Sequence, residues 1–543
     1  MGAHVPWQTL AKTTNNHTIQ DKIDHIIVVM LENRSLDNLL GWLYADKANI
    51  PAHNIPPKSR PTYDGLVEGK YWNRAPASDP DAPKIFAGRG VTTYPDKTPY
   101  PDPGEVCPYM YEQMFGTENP SSDANMSGFL QNYKRIGRTP PDQIMECYTP
   151  DQLSVLNSLA RNFAVSDRWF ASLPCETLPN RSFVHAGSSF GRLNNCDGKY
   201  NDGYDFNLSA YAHQKTIFKV FYDKGFSWKI YGPAGGRDVP LTATTTQFYG
   251  TLLKPPLSGH TDSLEHFESD AKNGQLPAYT FVEPEFIDHP TSDQHPASPG
   301  SPDACSMARG EQFIRRIWEA VSTSPQWKST ILIVTYDEHG GCYDHVPPPR
   351  TAAPPDNNKP QFDMTINPFT QYGTRIPAVV ISPYVEAGTV FRSPAATVEF
   401  DHASILATLR EWIFPPGQPT DANWLTSERV KRAPTIWPVL TRAEPRDDIP
   451  YIPPAKSPQA VRAAGGPPVQ GDSGSGRLSS LQGGLVVAAE TARRFERERA
   501  RLGTAATETE LSATYERINM EVLIYCQEHV KTVNDAKLLL ETP

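Results

Sequence analysis

The sequence predicts an α/β fold: a mostly parallel sheet flanked by helices, with a helical tail at the C-terminus. Two observations predict it. Four apolar runs are short, β-branched and bounded by turn residues, and their apolarity is continuous rather than alternating. Strands of that kind are buried on both faces, as in a parallel sheet covered by helices. Helical patterns lie between the runs.

Taken in order, "HIIVVML" (25–31) is the first strand, and "RSLDNLLGWLY" after it reads as a helix start. "AYTFVE" (278–283) is a second strand. "GEQFIRRIWEAVST" (310–323) is a helix that leads into the strand "ILIVTY" (331–336), and "IPAVVIS" (376–382) is a fourth strand followed by the helix "DHASILATLREWIF" (401–414). The catalytic domain is expected over 1–454. At 455–482 the composition shifts to a Gly-, Ser- and Pro-rich stretch that reads as a flexible linker. The tail, 483–543, carries two helical patterns. In the second, Thr507 and Glu510 have capping-box spacing, and Leu511, Tyr515, Ile518, Val522 and Tyr525 repeat at 4-3-4-3 spacing. That face needs a partner: the chain's own catalytic domain, a second copy in a homo-oligomer, or lipid.

Composition narrows the function. Lys and Arg number 51 against 61 Asp and Glu, a net charge of −10 without a strong basic run, which argues against a nucleic-acid partner. The 53 prolines are about twice the usual share of roughly 5% and mark long ordered loops on which a site would be built. Seven cysteines, odd in number and without a CxxC pair, favour free thiols over a disulfide framework or a thiolate metal site. The first 23 residues are polar and mixed, and no apolar stretch reaches the roughly 18 residues of a membrane helix. The expectation is a soluble, cytoplasmic protein; export by another route, or numbering after signal removal, reads the same way.

Ligands of open α/β sheets gather beyond the carboxyl ends of the strands. Three runs end in acids there: Glu32 with Asn33, then Glu283, then Asp337 and Glu338 beside His339. Adjacent carboxylates are costly to bring together unless a cation or a proton compensates. Carboxylates and an amide oxygen are hard ligands suited to Ca²⁺, Mg²⁺ or Mn²⁺, and to Zn²⁺ where carboxylate dominates. A turn or helix cap is the plainer reading of each residue alone, with Arg34 either an anion ligand or a surface ion pair. Thr177, before Pro179, Asn180 and Arg181, is either a helix cap or a hydroxyl placed to attack phosphorus beside a metal. His289, His295, His339, His345 and His402 are candidate proton donors or phosphate ligands.

In this order, "HIIVVMLENRSLDNLLGWL", "YPDPGE", "NMSGFLQNY", "SDRWFASLPCETLPNRSFVHAGSS", "VEPEF" with "SDQHPAS", "ILIVTYDEHGGCYDHVPPP", "RIPAVVISPYVEAGTV" and "FDHASILATL" span about 24–415. The set resembles the phosphoesterase family of bacterial phosphatidylcholine-hydrolysing phospholipases C, plant non-specific phospholipases C and a group of bacterial acid phosphatases. The resemblance implies an alkaline-phosphatase-like core, one divalent metal ion (Zn, Ca or Mn) and a covalent phosphothreonine route. It assigns Glu32, Asn33, Thr177, Asp337 and Glu338 to the metal, Thr177 to nucleophilic attack and His295 to the phosphate side. Arg181 and His339 fall inside matched catalytic motifs.

Two departures stand out. Glu105 occupies the phosphate-side position where the family commonly has histidine, and Cys175 and Glu176 precede Thr177 in place of smaller residues. The implied activity is phospholipase C cleavage of a phosphatidylcholine-like diester to diacylglycerol and phosphocholine, with transient membrane contact. The rivals are an acid phosphatase acting on monoesters and a catalytically silent lipid-binding or scaffold protein.

Overall fold

The computed structural model describes residues 18–456 and 480–539, apart from 47–49, 201–207, 236–238, 241, 288–289, 300–303, 396, 415–423, 503–507, 531, 533–534 and 537. Nine strands form one sheet: β1 (His25–Leu31), β2 (His53–Ile55), β3 (Ala164–Ser166), β4 (Trp228–Gly232), β5 (Thr261–Ser263), β6 (Tyr279–Val282), β7 (Thr330–Tyr336), β8 (Ala378–Ile381) and β9 (Thr389–Phe391). Their spatial order is β5-β4-β6-β1-β7-β8-β3-β9-β2. Every pairing is parallel except the two made by β8, which runs antiparallel between β7 and β3.

The four continuous apolar runs are β1, β6, β7 and β8, adjacent strands at the centre of the sheet. All of their residues are buried except His25 at the start of β1. Helices flank them. Those that matter for the site are α1 (Leu36–Leu40), α2 (Cys107–Phe115), α3 (Phe129–Arg135), α4 (Ser154–Asn162), α5 (Thr177–Ala186), α6 (Ala243–Gln247), α7 (Met307–Ser322) and α8 (Ala403–Ile413). α7 packs on α4, and α8 packs on α5. The helices predicted at 310–323 and 401–414 are α7 and α8. All seven cysteines are buried free thiols.

The tail folds as two helices, α9 (Ser480–Leu502) and α10 (Glu508–His529), packed on each other. The face predicted to need a partner finds it within the chain. Tyr515, Ile518 and Val522 are buried, and the Tyr515 ring stacks on Tyr249 at 5.0 Å and meets Phe495 at 5.1 Å. Tyr525 lies outside that contact and is exposed. The catalytic domain, one of the three partners weighed for this face, contacts it through Tyr249. Most of the linker stretch, Thr507 and the Leu511 side chain lie outside the described residues. No described helix is long and apolar enough to cross a membrane.

Candidate active site

Parallel register builds the site. Leu31 pairs with Tyr336, so Glu32 and Asp337 leave neighbouring strands side by side. Val29 pairs with Val282 on the other side, which delivers Glu283 to the same edge. The chain turns sharply after β1 at Asn33, whose φ of 55° is left-handed. Gly340 at φ 59° lies so close that a Cβ there would sit 2.3 Å from the Asn33 carbonyl oxygen. Only glycine fits that approach.

The side chains then lock together. Asp337 Oδ1 accepts from the backbone N–H of Asn33 at 2.9 Å and of Glu338 at 2.7 Å, and Glu338 Oε2 accepts from Gly340 N–H at 2.6 Å. Thr177 is the first residue of α5. Its Oγ1 lies 3.2 Å from Glu32 Oε2 and 3.3 Å from Asn33 Oδ1. Asn180 fixes the loop that feeds this helix, accepting from Leu173 N–H at 3.0 Å and donating to the Cys175 carbonyl at 2.7 Å. Leu178 N–H donates to Asn195 Oδ1 at 2.9 Å, and Glu176 accepts from Asn195 N–H at 2.8 Å.

Arg181 is the cation of the cluster. It donates to Glu32 through Nε at 2.8 Å and through an Nη, and to Glu283 at 2.6 Å, with Asp337 at 3.8 Å; the Arg181, Glu32, Glu283 and Asp337 side chains are all fully buried. Its guanidinium is therefore engaged by carboxylates, and its role in this arrangement is to hold them. Arg34 is not the anion ligand or surface ion pair weighed from sequence. It is buried, donating to the carbonyls of Gln294 at 2.7 Å and Thr98 at 2.5 Å and to Asn38 at 3.2 Å. The cap of α1 is Ser35, not Asn33.

The histidines separate into distinct roles. His295 Nε2 lies 3.1 Å from Asn33 Nδ2 and 3.6 Å from a Glu105 oxygen, and its Nδ1 donates to the Pro296 carbonyl at 2.6 Å. Burial works against a charge on either partner, yet the Glu105–His295 pairing prevails: the imidazole is held well above its usual range and the Glu105 carboxyl below its own. When Nε2 carries a proton it faces Glu105; without one it accepts from Asn33. His339 is fully buried, its pKa pushed down to about 3 by burial, and its Nε2 donates to Gln113 Oε1 at 2.9 Å. Its Nδ1 lies 3.5 Å from Glu338. Gln113 in turn donates to the Gly104 carbonyl at 2.7 Å, so one side chain of α2 sets both His339 and the loop carrying Glu105. His402 donates to the Asp337 carbonyl at 2.5 Å, and burial lowers its pKa to about 4. His345 belongs to a separate knot described below, and His289 lies outside the described residues.

Four acids meet one arginine here, and the balance shows in their protonation. Burial raises the pKa values of Glu32, Glu283, Asp337 and Glu338, and Arg181 only partly offsets this for the first three. Among the described residues, Asp337 Oδ2 and Glu338 Oε1 are buried without a hydrogen-bond partner. Buried carboxylate oxygens without a hydrogen bond, beside an amide oxygen and a hydroxyl, are what a hard divalent cation needs. The residues present therefore fit the metal expected from sequence. A second acidic group, Asp37, Asp344 and His345, also brings ligand atoms within 4.8 Å of one another. It already holds a cation of its own: Arg375 donates to Asp37 at 3.0 Å and Asp344 at 2.9 Å, all three fully buried.

Sequence reasoning passed over Gln113, Thr244 and Gln247. Thr244 Oγ1 donates to Glu283 Oε1 at 3.1 Å, and Gln247 Nε2 donates to the Leu178 carbonyl at 2.6 Å. None stands at a strand end or inside a matched motif, the two signals that marked the others.

The model of the phosphoesterase family matches residues 23–413. Non-specific phospholipase C1 of Arabidopsis thaliana is 36% identical over 403 residues, covering 73% of this chain and 68% of that protein. Phospholipase C A of Mycobacterium tuberculosis is 27% identical over 419 residues, covering 72% of each. Among solved structures, a protein in the alkaline phosphatase superfamily from Vibrio parahaemolyticus matches at 13% identity and a TM-score of 0.27, covering 53% of this chain and 62% of that one. The family match spans every strand and side chain of the site just described, and on that ground the chain belongs to the phosphoesterase family and is a phosphoric ester hydrolase.

Proposed function

We propose that the chain is a phospholipase C that cleaves phosphatidylcholine-like diesters through a covalent ester on Thr177. The observation that carries this reading is the placement of Thr177 Oγ1 within 3.3 Å of both Glu32 and Asn33, at the start of α5, against carboxylates with unpaired buried oxygens. The names of the relatives supply the substrate class.

Glu32, Asn33, Thr177, Asp337 and Glu338 would hold one divalent ion, Zn, Ca or Mn. When bound, such an ion lowers the pKa of the hydroxyl and neutralises charge on the phosphoryl group. Thr177 Oγ1 attacks phosphorus in line, its proton passing to Glu32 Oε2, 3.2 Å away. The Oγ–P bond forms as the bond from phosphorus to the diacylglycerol oxygen breaks. His295, protonated on Nε2 and held so by Glu105, gives its proton to the departing alcohol. Water then attacks phosphorus, giving a proton back to His295, as the bond to Thr177 breaks and Thr177 Oγ1 takes its proton back from Glu32, releasing phosphocholine. Arg181 keeps Glu32 in place through both steps. A phospholipid substrate implies transient contact with a membrane surface.

The test compares turnover of p-nitrophenyl phosphorylcholine and p-nitrophenyl phosphate by the wild type and Thr177→Ala. Faster diester cleavage, lost in the variant without loss of folding, is the expected result. Preference for the monoester would assign the chain to phosphatase chemistry, and activity surviving in Thr177→Ala would remove Thr177 as nucleophile.

A further inference from the structure

We propose that α6 is a positioning element for Thr177 and Arg181, and that the C-terminal hairpin of α9 and α10 clamps it in place. The inference rests on Thr177 and Arg181 having the roles given above. Gln247 and Thr244 stand three residues apart, on one face of α6. Gln247 is fully buried, and its amide does one thing: Nε2 holds the carbonyl of Leu178, the residue after the nucleophile, at 2.6 Å. Its Oε1 has no hydrogen-bond partner among the described residues. A leucine would pack there without desolvating an amide, so a glutamine is costly for stability. Its one bond falls on the first turn of α5.

Thr244 reaches the other end of the cluster. Its Oγ1 and N–H bond the two oxygens of Glu283 at 3.1 and 3.4 Å, and His185 Nε2 donates to the same hydroxyl at 2.9 Å. Glu283 holds Arg181, and Arg181 holds Glu32. One helix of five residues thus braces the nucleophile's backbone and its carboxylate neighbour.

A helix that short has little stability of its own. Its outer support comes from beyond residue 413, where the family match ends. α9 packs on α6 with Leu485 and Val486 fully buried. Gln482 donates to the Phe286 carbonyl at 2.8 Å, and the Phe286 ring lies 5.4 Å from the Arg181 guanidinium. Tyr515 of α10 stacks on Tyr249, two residues past α6.

The experiment uses the full chain with Gln247→Leu, Thr244→Val, Thr244→Ser, Tyr515→Ala, the milder Gln482→Ala, and Met520→Ala on the exposed side of α10 as control. Two readouts are taken: kcat and KM on p-nitrophenyl phosphorylcholine, and amide hydrogen exchange over 177–186. Gln247→Leu and Tyr515→Ala are expected to lower kcat by about 10- to 100-fold with KM little changed, the signature of a displaced reacting group. Exchange over 177–186 quickens in both, Thr244→Ser keeps the activity that Thr244→Val loses, and Gln247→Leu melts no earlier than the wild type. A merely structural glutamine would give the reverse, early melting with kcat intact, and that result would overturn the proposal. Loss of kcat in Gln247→Leu with wild-type kcat and exchange in both Tyr515→Ala and Gln482→Ala would overturn the clamp. Should the wild type turn over no phosphate ester, the functional reading falls by itself, and exchange decides: unchanged exchange over 177–186 in Gln247→Leu and Gln482→Ala would refute the positioning role.

Discussion

Replacing Arg181 by methionine removes the one arginine that, among the described residues, pairs with Glu32, Glu283 and Asp337, all fully buried. Breaking a buried ion pair by deleting one partner costs about 3–5 kcal/mol, because the remaining charge has neither water nor a counter-ion. Here two carboxylates lose direct partners at once, and such losses do not add, so the same range of about 3–5 kcal/mol is expected for the pair together. Urea unfolding of chelator-treated protein at pH 7 reads it directly. The sign of its pH dependence is fixed too. Without Arg181 the folded-state pKa values of these acids rise further above their unfolded values, so the folded state binds more protons. The deficit is then largest at pH 7 and shrinks as pH falls toward 5. Arg181→Lys keeps a charge but not the fork that reaches both carboxylates, and falls between. A loss below about 1 kcal/mol in Arg181→Met at pH 7 would mean that the carboxylates are compensated by something other than Arg181, and the account of how they are held would fail.

Three further outcomes are expected. Burial alone would lower the pKa of His345, but the Asp37 charge and hydrogen bonds to Asp37 and Asp64 override it and push the value up to about 9. A histidine raised in the fold stabilises below its unfolded pKa and loses that contribution as pH climbs through the folded one. The advantage of the wild type over His345→Gln in urea unfolding is therefore full, on the order of 3 kcal/mol, below pH 6.5 and fades as pH passes 9. Glu105→Gln removes the charge that keeps His295 protonated, so the alkaline limb of the kcat profile should move to lower pH; an unmoved limb would exclude His295 as the acid. Dialysis against a chelator should abolish ester cleavage and one divalent ion per chain should restore it, as read by elemental analysis alongside rate; full activity in metal-free protein would contradict the ligand assignment.

Much of this site was legible because it obeys one rule. Glu32, Asn33, Glu283, Asp337 and Glu338 all follow buried strands, and parallel strands present their carboxyl ends at one edge, so reading three strand ends together places five groups without knowing any loop. Thr177 was legible only through its motif, since β3 does not adjoin β1 or β7 and nothing local in a loop tells where it will land. What the sequence could not show are residues whose meaning is a single distant partner. Gln113 meets His339 and Gln247 meets Leu178 across many elements, and each glutamine looks locally like an ordinary helix residue. The apolar face of α10 was legible as needing cover, but a 4-3-4-3 spacing carries no information about whether the cover is the same chain or another. Tyr249, which supplies it, lies in a short helix unremarkable in sequence.

The central claim is that Thr177 carries the phosphoryl group between two displacements, and the stereochemistry at phosphorus tests it most directly. A phosphorothioate analogue of the choline diester, of one configuration, is hydrolysed in water labelled with heavy oxygen and the product configuration is read by phosphorus NMR. Two in-line displacements predict net retention. Inversion would mean that water attacks phosphorus directly, and Thr177 would then be a ligand or a binding residue rather than the nucleophile.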